Sequence, residues 1–183
     1  MRVIAGEYRG RILKSPPDAR TRPTSDRLRE TLFNIIVPRI IDSNFLDLCA
    51  GTGAVGIEAL SRGAGSVTFV DSSHKMCALV KENLTLCRVE KERTEIIYND
   101  ATKFLMGTNS SWDIVFFDPP YSDDYLPVIS LFAQKDLLTT ESLLIVEHHR
   151  KNNLPDEMDK LKKVRSLRQG DSCLSFYQYA VQD

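Results

Sequence analysis

At 183 residues, with 42% hydrophobic and 27% charged positions, the chain has the composition of one globular domain and lies far from that of disordered proteins. No apolar run approaches the roughly 18 residues of a membrane-spanning helix, and Arg2, Glu7, Arg9 and Arg11 interrupt the start where a secretory leader needs its apolar stretch, so a cytoplasmic protein is expected. The net charge of -1 conceals an asymmetry: residues 1–39 carry nine Lys or Arg against four acids and residues 40–183 fifteen against twenty-one, which points either to a polyanion-contacting arm or to a solvated one.

Taken in chain order, two short runs at 3–5 and 11–13 flank Gly6 and Gly10 and predict a small hairpin. Pro16, Pro17 and Pro23 predict an extended connector. A helix then starts at Thr24 or Ser25, with a hydroxyl for its N-cap and Asp26 in its first turn. Leu28, Leu32, Ile35 and Ile36 form its apolar face, Arg27, Arg29 and Glu30 fall on the other faces, and Pro38 is expected to end it. The division expected from this is a basic arm at 1–24 and a domain at 25–183.

From Asn44 onward short apolar strands alternate with helical stretches, the pattern of a parallel sheet covered by helices. Strands are predicted at 45–48, 66–70, 94–98, 113–117 and 143–146, with helices near 54–62, 74–87, 101–105 and 125–134. The rhythm breaks at the end, where two β-type runs separated by Gln169, Gly170 and Asp171 predict an antiparallel hairpin. That makes seven strands, five of them parallel.

The sharpest local signal is the run FLDLCAGTGAVGIEAL at 45–60, a buried strand passing through Gly51, Gly53 and Gly56 into a helix. Glycines let the backbone turn tightly and approach a ligand, and a helix N-terminus offers unpaired N–H groups. Twenty residues after Gly51, Asp71 closes the next strand, placed to accept hydrogen bonds from a ribose. The alternative is a glycine turn serving packing alone. Asp47 suits a ligand that carries an amine and would repel a pyrophosphate, and the chain is too short for a second substrate domain of the dehydrogenase kind. Asp100, just after the third strand, is placed to contact an adenine amino group, to cap the following helix, or both.

The second signal is Asp118-Pro119-Pro120-Tyr121, directly after the fourth strand, where an open α/β sheet places its ligands. Two prolines fix the backbone so that the Asp118 carboxylate and Pro119 carbonyl can both accept, beside an aromatic ring. A planar base with an exocyclic amine matches that set, although a bare strand-ending turn would use the same residues. Cys49, Cys77, Cys87 and Cys173 lack metal-ligand spacing and are read as free thiols, and no metal is expected. His148 and His149 alternate faces and are read as a strand-end pair, His74 as surface, Trp112 as packing, and the basic run at 160–168 as a solvated face.

These motifs resemble the class I S-adenosylmethionine-dependent methyltransferases that modify exocyclic amines of nucleobases. More narrowly, RVIAGEYRGRIL, RPTSDRLRETLFNII and LDLCAGTGAVGIEALSRGA resemble the RsmD family, guanine-N2 methyltransferases of small-subunit (16S) ribosomal RNA, over residues 2–179. Cys49 stands where that family often carries Phe. The resemblance implies a Rossmann-like α/β fold with a seven-stranded, mostly parallel sheet, an antiparallel edge hairpin and a small N-terminal hairpin arm. It implies S-adenosylmethionine as cofactor, held by Asp47, Gly51 and Gly53 at its methionine end, Asp71 at the ribose and Asp100 at the adenine. Asp118, Pro119, Pro120 and Tyr121 would hold the target guanine. From the charge of the arm, Arg9, Arg11, Arg20, Arg22 and Thr24 are expected to meet RNA, naked or in an assembled small-subunit particle, the alternative being a hairpin that merely extends the sheet or covers its face. No membrane partner is implied, and a monomer is expected. Adenine-N6 methylation of DNA or RNA, and a nucleotide-binding adaptor without catalysis, are the competing readings.

Overall fold

In a computed structural model of the protein, which describes residues 1–16 and 25–180, one eight-stranded sheet runs through the molecule in the order β3-β2-β1-β4-β5-β8-β7-β6. Strands β1 (Asn44–Leu48), β2 (Ser66–Asp71), β3 (Thr94–Tyr98), β4 (Trp112–Phe117) and β5 (Leu138–His149) are parallel, while β6 (Glu157–Met158), β7 (Leu161–Gln169) and β8 (Ser172–Tyr179) add antiparallel ladders at one edge. The α/β fold with its antiparallel edge is therefore as expected. The count is corrected from seven strands to eight, because the two-residue β6 pairs with the start of β7 through Glu157–Lys162 and Met158–Leu161, a ladder too short to leave a periodic signal.

Side-chain alternation sorts the core into two layers. Phe45, Phe69, Ile114 and Phe116 point to one face, under α1 (Asp26–Ile40), α2 (Ala54–Ser61) and α3 (His74–Cys87). Leu46, Leu48, Val70, Val115 and Phe117 point to the other, under α4 (Ala101–Gly107) and α5 (Leu126–Gln134). Predicted and observed helices agree to within about two residues, and Ser25, Ser73 and Asp100 each cap a helix through a side-chain oxygen.

Helix α1 departs from expectation at two points. It continues past Pro38 to Ile40, since a proline in the last turn forfeits one backbone hydrogen bond and Ile40 is buried. Arg29, predicted on an outer face, has no exposed surface. It shares a buried row with Phe33, Ile36 and Ile40, donates to the Arg2 carbonyl and to Asp26 Oδ1, and lies 3.7 Å from Glu58 Oε2.

What covers that row is the N-terminal hairpin, joined across its base by an Arg2–Ile12 bridge. Val3, Tyr8 and Leu13 enter the core, and Glu58 of α2 accepts the Ile4 and Ala5 N–H groups at 2.8 and 3.0 Å. Gly6 packs so tightly on α2 that a Cβ there would lie 1.7 Å from the Ser61 carbonyl oxygen. The hairpin is thus docked on the sheet's helical layer, with Arg9 and Arg11 on its exposed outside. The expected boundary at residue 24, and the connector prolines Pro17 and Pro23, lie outside the described residues.

Candidate active site

The strand order reverses between β1 and β4, so the loops that follow these two neighbours diverge and leave a crevice at their carboxyl ends. A cavity of about 1190 Å³ opens there. Both sequence signals converge on it: the glycine loop follows β1, and the Asp118–Tyr121 turn follows β4.

The glycine loop is built from backbone bonds. Cys49 and Ala50 both donate to the Val70 carbonyl, and Cys49, Gly51 and Gly53 take φ of 68°, 54° and 74°, turning the chain into α2. Gly56, one turn later, has no room for a side chain, since a Cβ would meet Phe69 Cε1 at 2.3 Å. Asp47 Oδ2 accepts the Gly56 N–H at 2.9 Å from a position only 2% exposed. Burial pushes its carboxyl from 3.8 up to about 7, against the pull of the Gly56 N–H and with a further push from Asp71.

Asp71 stands at the end of β2, opposite Tyr98 in the sheet. Its Oδ2 accepts the Gly51 N–H at 2.8 Å and its Oδ1 the Ser73 N–H at 2.9 Å, so each oxygen keeps a second lone pair toward the cavity. Burial raises this carboxyl too, while the Gly51 and Ser73 N–H groups oppose the rise. Asp100 accepts the Lys103 N–H at 3.0 Å, as the cap reading expected, and also lines the same cavity.

Of the predicted site residues, Asp47, Gly51, Asp71, Asp100, Asp118, Pro119, Pro120 and Tyr121 all line the cavity. Gly53 is absent from the lining and acts as the left-handed N-cap of α2. Arg9 and Arg11 lie on the hairpin, and Arg20, Arg22 and Thr24 lie outside the described residues. His148 is buried with Nε2 2.9 Å from Ser175 Oγ, and its imidazole is held below its usual range by burial. His149 lies with its ring beside Tyr121, His74 stacks on Tyr98, and Trp112 is buried against Phe104. Lys160, Lys162 and Lys163 of the basic run pair with Asp136, Glu157 and Asp156.

Sequence reasoning missed the link between hairpin and glycine loop. Asn83, fully buried on α3, accepts the Lys14 N–H at 2.8 Å and donates to the carbonyls of Lys14 at 3.2 Å and Thr52 at 2.9 Å. Beyond Lys14, Ser15 and Pro16 line the cavity, as does Met1. The signal was present: Asn83 lies on the same stripe as Val80, Leu84 and Cys87, a polar residue among apolar ones.

The cavity's charge decides what it can hold. Among the described residues its lining carries six carboxylates (Asp47, Asp71, Asp100, Asp118, Asp123 and Asp124) and no Lys, Arg or His. Phosphates would be repelled there, whereas a cation bearing hydroxyl and amino groups would find acceptors throughout.

Residues 1–178 match a family described as conserved hypothetical protein 95. The ribosomal RNA small subunit methyltransferase D of Escherichia coli K12 is 38% identical over 156 residues, covering 85% of this chain and 78% of its own length. The protein of the same name from Haemophilus influenzae is 36% identical over 168 residues, covering 89% of this chain and 87% of its own length. Among solved structures, the candidate methyltransferase yhhF of Escherichia coli superposes with a TM-score of 0.88 at 34% identity, covering 100% of this chain and 99% of the other.

Proposed function

The chain belongs to the RsmD family, and from that premise we propose that it methylates the exocyclic N2 of a guanine in 16S ribosomal RNA, using S-adenosylmethionine. The observation that carries this reading is the meeting of the glycine loop and the Asp118–Tyr121 turn on one cavity lined by six carboxylates. S-adenosylmethionine fits that donor set: its sulfonium and ammonium are cationic, its ribose offers two hydroxyls, and it has no phosphate for the carboxylates to repel. Asp47 would hold the ammonium end, Asp71 the ribose through its remaining lone pairs, and Asp100 the adenine. When bound, the cofactor supplies an electrophilic methyl group.

The rest of the chemistry falls to this chain's residues. A guanine N2 is a weak nucleophile because its lone pair is delocalised into the ring, so orientation matters more than acid–base strength. Asp118 and the Pro119 carbonyl would accept the two N2 hydrogens and aim the lone pair at the methyl carbon. As the N–C bond forms and the C–S bond breaks, the nitrogen becomes cationic, and the Asp118 carboxylate offsets that charge and stands ready for the proton that leaves. Tyr121 stacks on the base. Arg9 and Arg11 contact phosphates outside the acidic cavity.

Mass spectrometry of 16S nucleosides from a strain lacking this chain tests the reading. Loss of one N2-methylguanosine, restored by the purified protein with S-adenosylmethionine, is expected. Loss of N6-methyladenosine instead would overturn it in favour of the adenine reading.

A further inference from the structure

Behind the Asp118–Tyr121 turn lies a polar cluster that the functions above do not use. The Tyr121 hydroxyl sits 2.8 Å from Ser172 Oγ, at the start of β8, and donates to Glu147 Oε1 at 3.4 Å, near the end of β5. Glu147 and Ser172 are 3% and 6% exposed. The His149 ring meets the Tyr121 ring at 5.4 Å and an interplanar angle of 63°, and Asn152 Nδ2 donates to the Tyr121 carbonyl at 3.4 Å. Register explains the convergence: His149 lies opposite Ser172 in the β5–β8 ladder and Glu147 opposite Leu174, so the end of β5 and the start of the antiparallel β8 bring both polar groups under one phenol.

Three of these contacts bear on the ring and one on its backbone, and all come from elements other than the turn itself. A tyrosine at a cavity mouth normally rotates about two side-chain torsions; this one has its hydroxyl tied at the far end and its ring flanked, so its plane is set before a base arrives. Burying a carboxylate such as Glu147 is costly, and the hydroxyl it accepts from belongs to the residue that faces the cavity.

We propose that Glu147 and Ser172 are positioning residues for the target base: by holding the Tyr121 hydroxyl they fix the plane on which the base stacks, and so the line along which its amine meets the methyl group. The inference rests on the function proposed above. It assigns the antiparallel edge of the sheet a part in the reaction, since Ser172 is delivered by β8. Neither residue touches the base; both act through Tyr121.

Steady-state kinetics of Tyr121→Phe, Ser172→Ala and Glu147→Gln, and of Tyr121→Phe combined with each of the others, tests this. Each single change should lower kcat by roughly tenfold to a hundredfold, the scale of a misoriented reacting group, with KM for RNA and cofactor affinity within about twofold of the wild type. Because both residues act through one hydroxyl, each double variant should be no slower than Tyr121→Phe alone. Losses that multiply in the doubles, or that fall on KM, overturn the inference. Tyr121→Phe keeps the ring and creates no buried cavity, so it decides the matter even where Glu147→Gln fails to fold: full kcat in that variant also overturns it. A wild type that transfers no methyl group to guanine overturns the parent reading as well, whereas an active wild type with multiplying losses overturns this inference alone.

Discussion

Changing Asp47 to Asn removes a charge that the cavity holds in an unusual state. Asp47 is 2% exposed, and burial pushes its carboxyl up to about 7, so near neutral pH it carries a proton about half the time. Binding a cation beside it demands the ionised form. With the carboxyl at about 7 in the free protein and far lower in the complex, about one molecule in eleven is ready at pH 6 and about ten in eleven at pH 8, so S-adenosylmethionine should bind about tenfold more weakly at pH 6, a difference of about 1.4 kcal/mol. Calorimetry in two buffers of different ionisation enthalpy should register close to one proton released per cofactor at pH 6 and almost none at pH 8. Asp47→Asn keeps an oxygen for the Gly56 N–H and should bind more weakly at pH 8 while losing most of the pH dependence; Asp71, also raised by burial, accounts for any residue of it. The same raised group acts on folding with a defined sign. The native state holds a proton that the unfolded chain has shed between about pH 4 and pH 7, so stability falls as pH rises through that window, and the variant should melt higher than the wild type at pH 8 but not at pH 4. A wild-type affinity independent of pH, or an equal slope in the variant, would refute the reasoning.

Asp118→Ala should lower methyl transfer at least a hundredfold or so while cofactor affinity stays within about twofold, because its proposed contacts are to the target amine alone; equal losses in both measurements would move Asp118 to the cofactor side. Glu58→Ala takes from the fully buried Arg29 its buried carboxylate, leaving it the Arg2 carbonyl and the exposed Asp26, and frees the Ile4 and Ala5 N–H groups. Breaking such a buried pair costs about 3–5 kcal/mol, or roughly 10 °C of melting temperature for a chain of this size, and a change under about 2 °C in scanning calorimetry would show that the hairpin is not clamped through Glu58. Arg9→Gln with Arg11→Gln should reduce the slope of log affinity against log salt by about 1.4 on single-stranded RNA, at about 0.7 per phosphate contact; an unchanged slope removes the two arginines from the RNA surface.

What local sequence specifies, the sequence shows. Strands β1 to β4 are short β-type runs rich in apolar residues, and the helix caps at Ser25, Ser73 and Asp100 each act on a backbone N–H three residues on, so their boundaries are legible without knowledge of the fold. The glycine loop and the Asp118–Tyr121 turn are legible for the same reason, as both are contiguous. Arg29 is the instructive failure. Leu28, Leu32 and Ile36 define an apolar stripe and leave Arg29 on its flank, and the flank is buried only because a hairpin some 20 residues upstream folds back over it. Glu58 within the otherwise apolar AVGIEALS carried the matching hint, a charge with no exposed face to occupy, but its partner could not be named from local pattern. Tyr121 was legible as an aromatic beside two prolines, whereas its anchors Glu147 and Ser172 come from strands 26 and 51 residues away.

The charge asymmetry read at the outset takes on a physical role once the cavity is mapped. Six carboxylates around the reaction site favour a cationic cofactor and penalise every phosphate of an RNA chain. A neutral base can enter such a cavity only if its backbone stays outside, and affinity for that backbone must then come from another surface. On the proposed function the exposed Arg9 and Arg11 of the hairpin would provide one, and the hairpin is not loosely tethered: Glu58 and Ser61 fasten it to α2, and Asn83 ties Lys14 to the Thr52 carbonyl of the glycine loop. An element that grips phosphates and is fixed in this way to the glycine loop would set the distance between the RNA backbone and the methyl group. Under that proposal such a fixed distance would favour a base that can be turned out of its helix or loop, which could reach Asp118 while its phosphates stayed on the basic side.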